Sequence, residues 1–123
     1  EGRVSGIEVR VCREQDLVAG KVIVVAVGDD DRGRPITALV LRDSDGAPVA
    51  YRNLCRHLPV PLDGGTGELL SEDGTYLVCG THGACYRLHD GLCVEGPCKG
   101  LALYPLGLRR RGHDLYVSSA SDR

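Results

Sequence analysis

The chain has 123 residues, with 15 Lys and Arg against 17 Asp and Glu for a net charge of −2 at pH 7. That length supports one domain with a modest core, and the slightly acidic balance argues against nucleic acid or an anionic membrane as a partner. Phe, Trp and Met are absent, so the core must come from Val, Leu, Ile, Ala and Tyr, and the longest apolar run, Val22 to Val27, is far too short to cross a bilayer.

Abundant β-branched residues, with 17 Gly and 6 Pro, favour short strands joined by turns. Ile7 to Cys12 alternates as a first strand with Val9 and Val11 on one face. Glu14 to Gly20 is polar and ends in Gly, as a connection or single helical turn. Lys21 to Val27 is a nearly unbroken β-branched run and is expected as a strand covered on both faces. Gly28 to Pro35 is a charged hairpin tip. Its three Asp lack the bidentate Glu of a calcium loop.

Ile36 to Arg42 and Ala47 to Arg52 flank Asp43-Ser-Asp-Gly46, a hairpin signal. Asn53 to Leu62 forms a loop, and Asp63 to Thr75, rich in Gly and acids, carries the chain across. Thr75 to Cys79 is a short strand. Cys85 to Leu88 and Leu92 to Val94 flank the turn His89-Asp-Gly91. Gly96-Pro97 and Gly100 mark a further crossing. Leu103 to Arg109 and Leu115 to Val117 close the chain around a turn at Arg110 to Asp114. Short strands at such spacing predict an all-β antiparallel sandwich or barrel without helices of useful length.

Two short Cys/His pairs carry the chemistry: Cys55-Arg-His57 and Cys79-Gly-Thr-His82. Each supplies one thiolate and one imidazole, and each is followed by residues that turn the chain tightly, Pro59 and Pro61 or Gly83. A [2Fe–2S] centre with two Cys on one iron and two His on the other requires one Cys and one His from each of two loops. Tetrahedral zinc is the competitor, but structural zinc sites use C-x2-4-C knuckles with H-x3-5-H. Mixed pairs, one with a single intervening residue, suit two irons better. The six cysteines could instead form a disulfide framework. That reading is disfavoured because two of them sit beside His at ligand spacing. Glu1-Gly-Arg-Val also lacks the basic-then-apolar order of an export signal, so the cytoplasm is the expected compartment.

C-x-H, a spacer, then C-x-x-H resembles the motif of the Rieske family, and Cys79-Gly-Thr-His82-Gly83-Ala-Cys-Tyr86 with Asp90-Gly91 behind it is similar to that family's second loop. The resemblance runs from Ile7 to Val117. It implies a single domain over residues 1–123, with a base of 1–52 and 101–118 and a two-loop cluster-binding subdomain of about 53–100. It implies one [2Fe–2S] cluster, with Cys55 and Cys79 on the inner iron and His57 and His82 on the outer iron near the tip. Gly83 would let backbone N–H groups approach cluster sulfur. Leu58, Pro59 and Pro61 would form an apolar collar, and Tyr86 a hydrogen-bonding aromatic. High-potential members carry an extra bridged Cys in each loop, where this chain has Val60 and Thr81, and a Ser where it has Ala84. These departures imply a lower-potential, ferredoxin-like centre.

The function implied is one-electron transfer from a flavin reductase to an oxygenase, by a carrier that is not itself an enzyme. With both His at the tip, the potential should fall as pH rises through their oxidised-state pKa. A terminal oxygenase would add a mononuclear iron on two His and a carboxylate, and only His89 and His113 remain for it. A small Rieske subunit of an assimilatory nitrite reductase and a zinc-stabilised interaction module are the alternatives. The expected partners are redox proteins, with no nucleic acid and no membrane, and a monomer is favoured. Cys12, Cys85, Cys93 and Cys98 are read as small buried hydrophobes, with Cys93 and Cys98 also candidates for a disulfide across the Gly-Pro turn. His89 and His113 are read as exposed polar residues, and Arg109 to Arg111 as a solvated strand end.

Overall fold

The computed structural model describes residues 8–29, 32–54, 56, 62, 69–71, 73–79 and 83–121. Nine strands form three antiparallel sheets among these residues. Strands β1 (Glu8–Arg13), β9 (Asp114–Ser121) and β8 (Leu106–Arg111) make the first sheet, in the order β1-β9-β8. The second is β2 (Ile23–Asp29), β3 (Pro35–Arg42) and β4 (Pro48–Arg52), and the third β5 (Tyr76–Val78), β6 (Cys85–Arg87) and β7 (Cys93–Glu95). The only helical element described is the 3-10 turn Glu14–Asp16. An all-β antiparallel architecture is what the strand and turn spacing predicts.

Strand β3 is the wall between two cores. Successive side chains of a strand point to opposite faces, and here both faces are covered: Ala38, Leu39, Val40 and Leu41 are all at most 1 % exposed. Leu39 and Leu41 join Tyr51, Leu77, Tyr86 and Leu103 in one cluster. Ala38 and Val40 join Leu17, Ala50, Leu115 and Val117 in the other. Strand β4 divides likewise, with Tyr51 on the first side and Ala50 on the second.

This arrangement corrects the expectation for Lys21 to Val27. Strand β2 packs one face on the core and turns the other to solvent, as its alternating burial shows. Val27 is buried and Ile23 and Val25 pack on the core, whereas Val24 is 43 % exposed. An uninterrupted β-branched run suits either environment; what packs on its second face decides. In β1 a register shift between Arg10 and Cys12 turns Cys12 onto the same core as Val9 and Val11.

The turns follow their sequence signals. Asp43 Oδ1 accepts the N–H groups of Asp45 and Ala47, both at 2.9 Å, in the β3–β4 hairpin. In the β6–β7 turn, Asp90 accepts from Leu92 N at 3.0 Å and from the Arg87 guanidinium. The Tyr51 hydroxyl donates to the Leu88 carbonyl at 2.7 Å, so β4 holds this turn against the second sheet. The β8–β9 end is laced by ion pairs of Arg109 and Arg111 with Glu8 and of Arg110 with Glu14, in keeping with a solvated strand end.

Candidate metal centre

The first ligand loop leaves β4 and is anchored at both ends by Asn53, the one buried polar side chain among the described residues. Its backbone N–H donates to Thr37 O at 2.8 Å, and its Oδ1 accepts from Leu62 N at 2.8 Å. One side chain thus joins residues nine positions apart and closes the loop at its base. Arg56, between Cys55 and His57 in sequence, ties the loop to the segment after β7. Its guanidinium donates to Ala102 O at 2.6 Å and lies 4.4 Å from the centroid of the Tyr104 ring. Alongside, Arg52 N donates to Tyr104 O at 2.8 Å.

The second ligand loop is the connection between β5 and β6. Cys79 N donates to Ala84 O at 2.9 Å, and Gly83 N donates back to Cys79 O at 2.8 Å. Closing the loop this tightly requires a left-handed residue, and Gly83 has φ of +72°. The Cys79 side chain is fully buried, in the same apolar cluster as Leu77, Ala84, Tyr86 and Leu88. Ala84 is also fully buried. A Cβ built on Gly96 would come within 2.7 Å of its Cα, so the segment after β7 lies directly on the ligand loop.

Tyr86 links the two loops. Its ring is fully buried, and its hydroxyl accepts the Arg56 N–H at 3.0 Å. The same oxygen is 3.0 Å from Cys98 Sγ. The hydroxyl of β6 is therefore bonded to the backbone inside the C-x-H stretch.

Of the residues expected at the centre, the structure describes Cys79, Gly83 and Tyr86. Cys55, His57, Leu58, Pro59 and His82 lie outside the described residues, as do Val60, Pro61 and Thr81. The described part fits an iron–sulfur group: a soft thiol in an apolar, water-excluding pocket at a turn, with a second loop held beside it by a buried hydroxyl. His89 and His113 are exposed, as expected. Asn53 and Arg56 were not singled out by sequence. Their signal, a polar residue at a strand end and an Arg inside C-x-H, gains meaning only from partners far along the chain.

A family model for the Rieske [2Fe-2S] domain matches residues 7–105. No curated protein matches the chain by sequence. Among solved structures, a chain in the complex of reduced oxygenase and oxidised ferredoxin of carbazole 1,9a-dioxygenase superposes with a TM-score of 0.69 at 20% identity, over 96% of this chain and 98% of that one. A chain in the reduced complex between oxygenase and ferredoxin of the same system gives 0.69 at 16% identity, over 92% of this chain but 28% of that one. The terminal oxygenase of carbazole 1,9a-dioxygenase from Nocardioides aromaticivorans IC177 gives 0.70 at 20%, over 96% of this chain and 31% of that one. At these identities the likeness is one of fold, with this chain spanning under a third of the longer neighbours. The family match covers most of the sequence: the chain belongs to the Rieske [2Fe-2S] domain family, whose cofactor is one [2Fe–2S] cluster and whose role is electron transfer.

Proposed function

We propose that this chain is a one-electron carrier between a flavin reductase and an oxygenase, without catalysis of its own. The observation behind this reading is the fold likeness over 96% of this chain and 98% of a chain of matching length in an oxygenase–ferredoxin complex. Cys55 and Cys79 hold one iron, and His57 and His82 the other. The cluster, when bound, supplies a one-electron couple with a higher potential than an all-thiolate site.

The chain's own residues do the rest. Cys79 presents its thiolate from an apolar pocket, and Gly83 sets the turn that follows. Hydrogen bonds through Asn53, Arg56 and Tyr86 tie Arg56 and Leu62 of the first loop to the rest of the fold. The role and the thiol-rich centre favour a reducing compartment such as the cytoplasm.

The test couples the holoprotein to an NADH-dependent flavin reductase, with cytochrome c as terminal acceptor. The carrier reading predicts cytochrome c reduction that depends on the holoprotein and saturates with it, and no oxygen consumption by the chain alone. Reduction that is independent of the chain, or oxygen consumption by the chain with an aromatic substrate, would overturn it.

A further inference from the structure

Beside the ligand loops lies a pair of thiols that electron transfer does not use. Strand β7 begins at Cys93, and the Gly96-Pro97 turn brings Cys98 back over it. The return is fixed by backbone bonds from Gly100 N to Cys93 O at 3.0 Å, Cys93 N to Leu101 O at 2.7 Å and Leu101 N to Cys98 O at 3.0 Å. It depends on Gly96, which has φ of +107° and no room for a Cβ against Ala84. The two Sγ atoms are 3.4 Å apart, and the residues are 1 % and 4 % exposed.

The pair belongs to a continuous chain of donors. Cys93 S–H donates to Glu95 O at 3.2 Å, and Cys98 S–H donates to Cys93 Sγ. Tyr86 O–H then supplies the hydrogen of its 3.0 Å contact with Cys98 Sγ, while Tyr86 Oη accepts from Arg56 N. Five groups run from the first ligand loop to the end of β7.

We propose that Cys93 and Cys98 are a redox-active dithiol that closes to a disulfide under hydrogen peroxide and, through Tyr86, alters how the first ligand loop is held. Cys98, the more exposed of the two, attacks as thiolate on a peroxide oxygen. The O–O bond breaks, hydroxide leaves with its electron pair, and a Cys98 sulfenic acid forms. Cys93 gives its proton to that hydroxide and attacks the Cys98 sulfur. The S–S bond forms, the S–O bond breaks, and a second hydroxide leaves, to take up the proton first released from Cys98. Two thiols lose two electrons, and one peroxide becomes two waters. Cys93 fits the second role, since burial, together with the contact to Cys98, pushes its thiol up to about 11.

Closing from 3.4 Å to a bond of about 2.05 Å draws the Cys98 sulfur toward Cys93. Both S–H donors vanish, and Tyr86 loses the geometry of its thiol contact. The hydroxyl that bonds Arg56 then has a changed neighbour on its Cys98 side. This coupling rests on the ligand assignment proposed above, whereas the thiol chemistry does not.

Trypsin provides a clean readout, because the peptide Leu88–Lys99 carries Cys93 and Cys98 and no other Cys. Holoprotein treated with one equivalent of peroxide, then denatured with iodoacetamide, should give this peptide two hydrogens lighter than the dithiol and without alkyl groups. Dithiothreitol should reverse both changes. A peptide that still takes two alkyl groups, or carries sulfinic acid in place of the bond, overturns the switch. A redox titration of the same samples reads the coupling: the midpoint should shift with the disulfide and return with dithiothreitol, and Cys98→Ser should hold it fixed. A disulfide formed with no change of midpoint, or an equal shift in Cys98→Ser, overturns the coupling.

Discussion

Replacing Tyr86 by Phe isolates the hydroxyl that joins the two ligand loops. The ring stays in its fully buried place, so no cavity of note is created. The Arg56 N–H loses its acceptor at 3.0 Å, and Cys98 Sγ loses its neighbour at 3.0 Å. Leaving this part-buried N–H without its acceptor costs about 1–3 kcal/mol. For 123 residues, an unfolding entropy of about 2.1 cal/mol/K per residue makes each kcal/mol worth about 4 °C in Tm. Tyr86→Phe should therefore lower Tm by about 4–12 °C, read by far-UV circular dichroism on the oxidised holoprotein. An unchanged Tm would refute the claim that this hydroxyl holds the first loop.

Other expectations follow from the same geometry. Leu39→Ala, at a position wholly buried on β3, should cost about 2–5 kcal/mol in urea unfolding, whereas Val24→Ala on the exposed face of β2 should stay within about 0.5 kcal/mol; equal losses would contradict the two-faced reading of β3. Gly96→Ala meets both a positive φ and the Ala84 backbone, while Gly100→Ala meets a positive φ with nothing within 4 Å. The first should lose about 1–3 kcal/mol more than the second, and the same two urea curves decide it. Burial raises the pKa of both Cys93, from 9.0 to about 11, and Tyr51. The unfolded chain gives up these protons first, so the stability Tyr51 contributes is complete up to about pH 10 and falls only above it, while that of Cys93 is complete below about pH 9 and is lost as pH rises toward 11. Urea midpoints should fall over that interval, less steeply in Cys93→Ala; a flat profile would count against it.

Short-range signals in the sequence carried most of the fold. Asp43 to Gly46 and His89 to Gly91 form turns because an Asp side chain caps the backbone within a few residues, a requirement visible in four letters. The two Cys/His pairs are equally local. What stayed hidden depends on partners distant in the chain. Pro35 to Arg42 looks like an ordinary hairpin strand, and its two-sided burial appears only once β4 and the residues of both cores surround it. Lys21 to Val27 looked more central because its composition is richer, yet composition says nothing about what packs on its second face. Asn53 and Arg56 act on Thr37, Leu62 and Ala102, and no spacing rule connects those positions. The Gly96-Pro97 turn already marked Cys93 and Cys98 as a candidate pair; the contact of Cys98 with Tyr86, twelve residues away, did not show in the sequence.

The measurement closest to the central claim is pulsed EPR of the dithionite-reduced holoprotein, prepared with natural and 15N-labelled histidine. Two imidazole ligands predict a rhombic signal with average g below the free-electron value and strong coupling to two histidine nitrogens that changes with the label. A reduced cluster without histidine nitrogen coupling, or a colourless protein with one zinc and no sulfide, would contradict the assignment of His57 and His82 with Cys55 and Cys79.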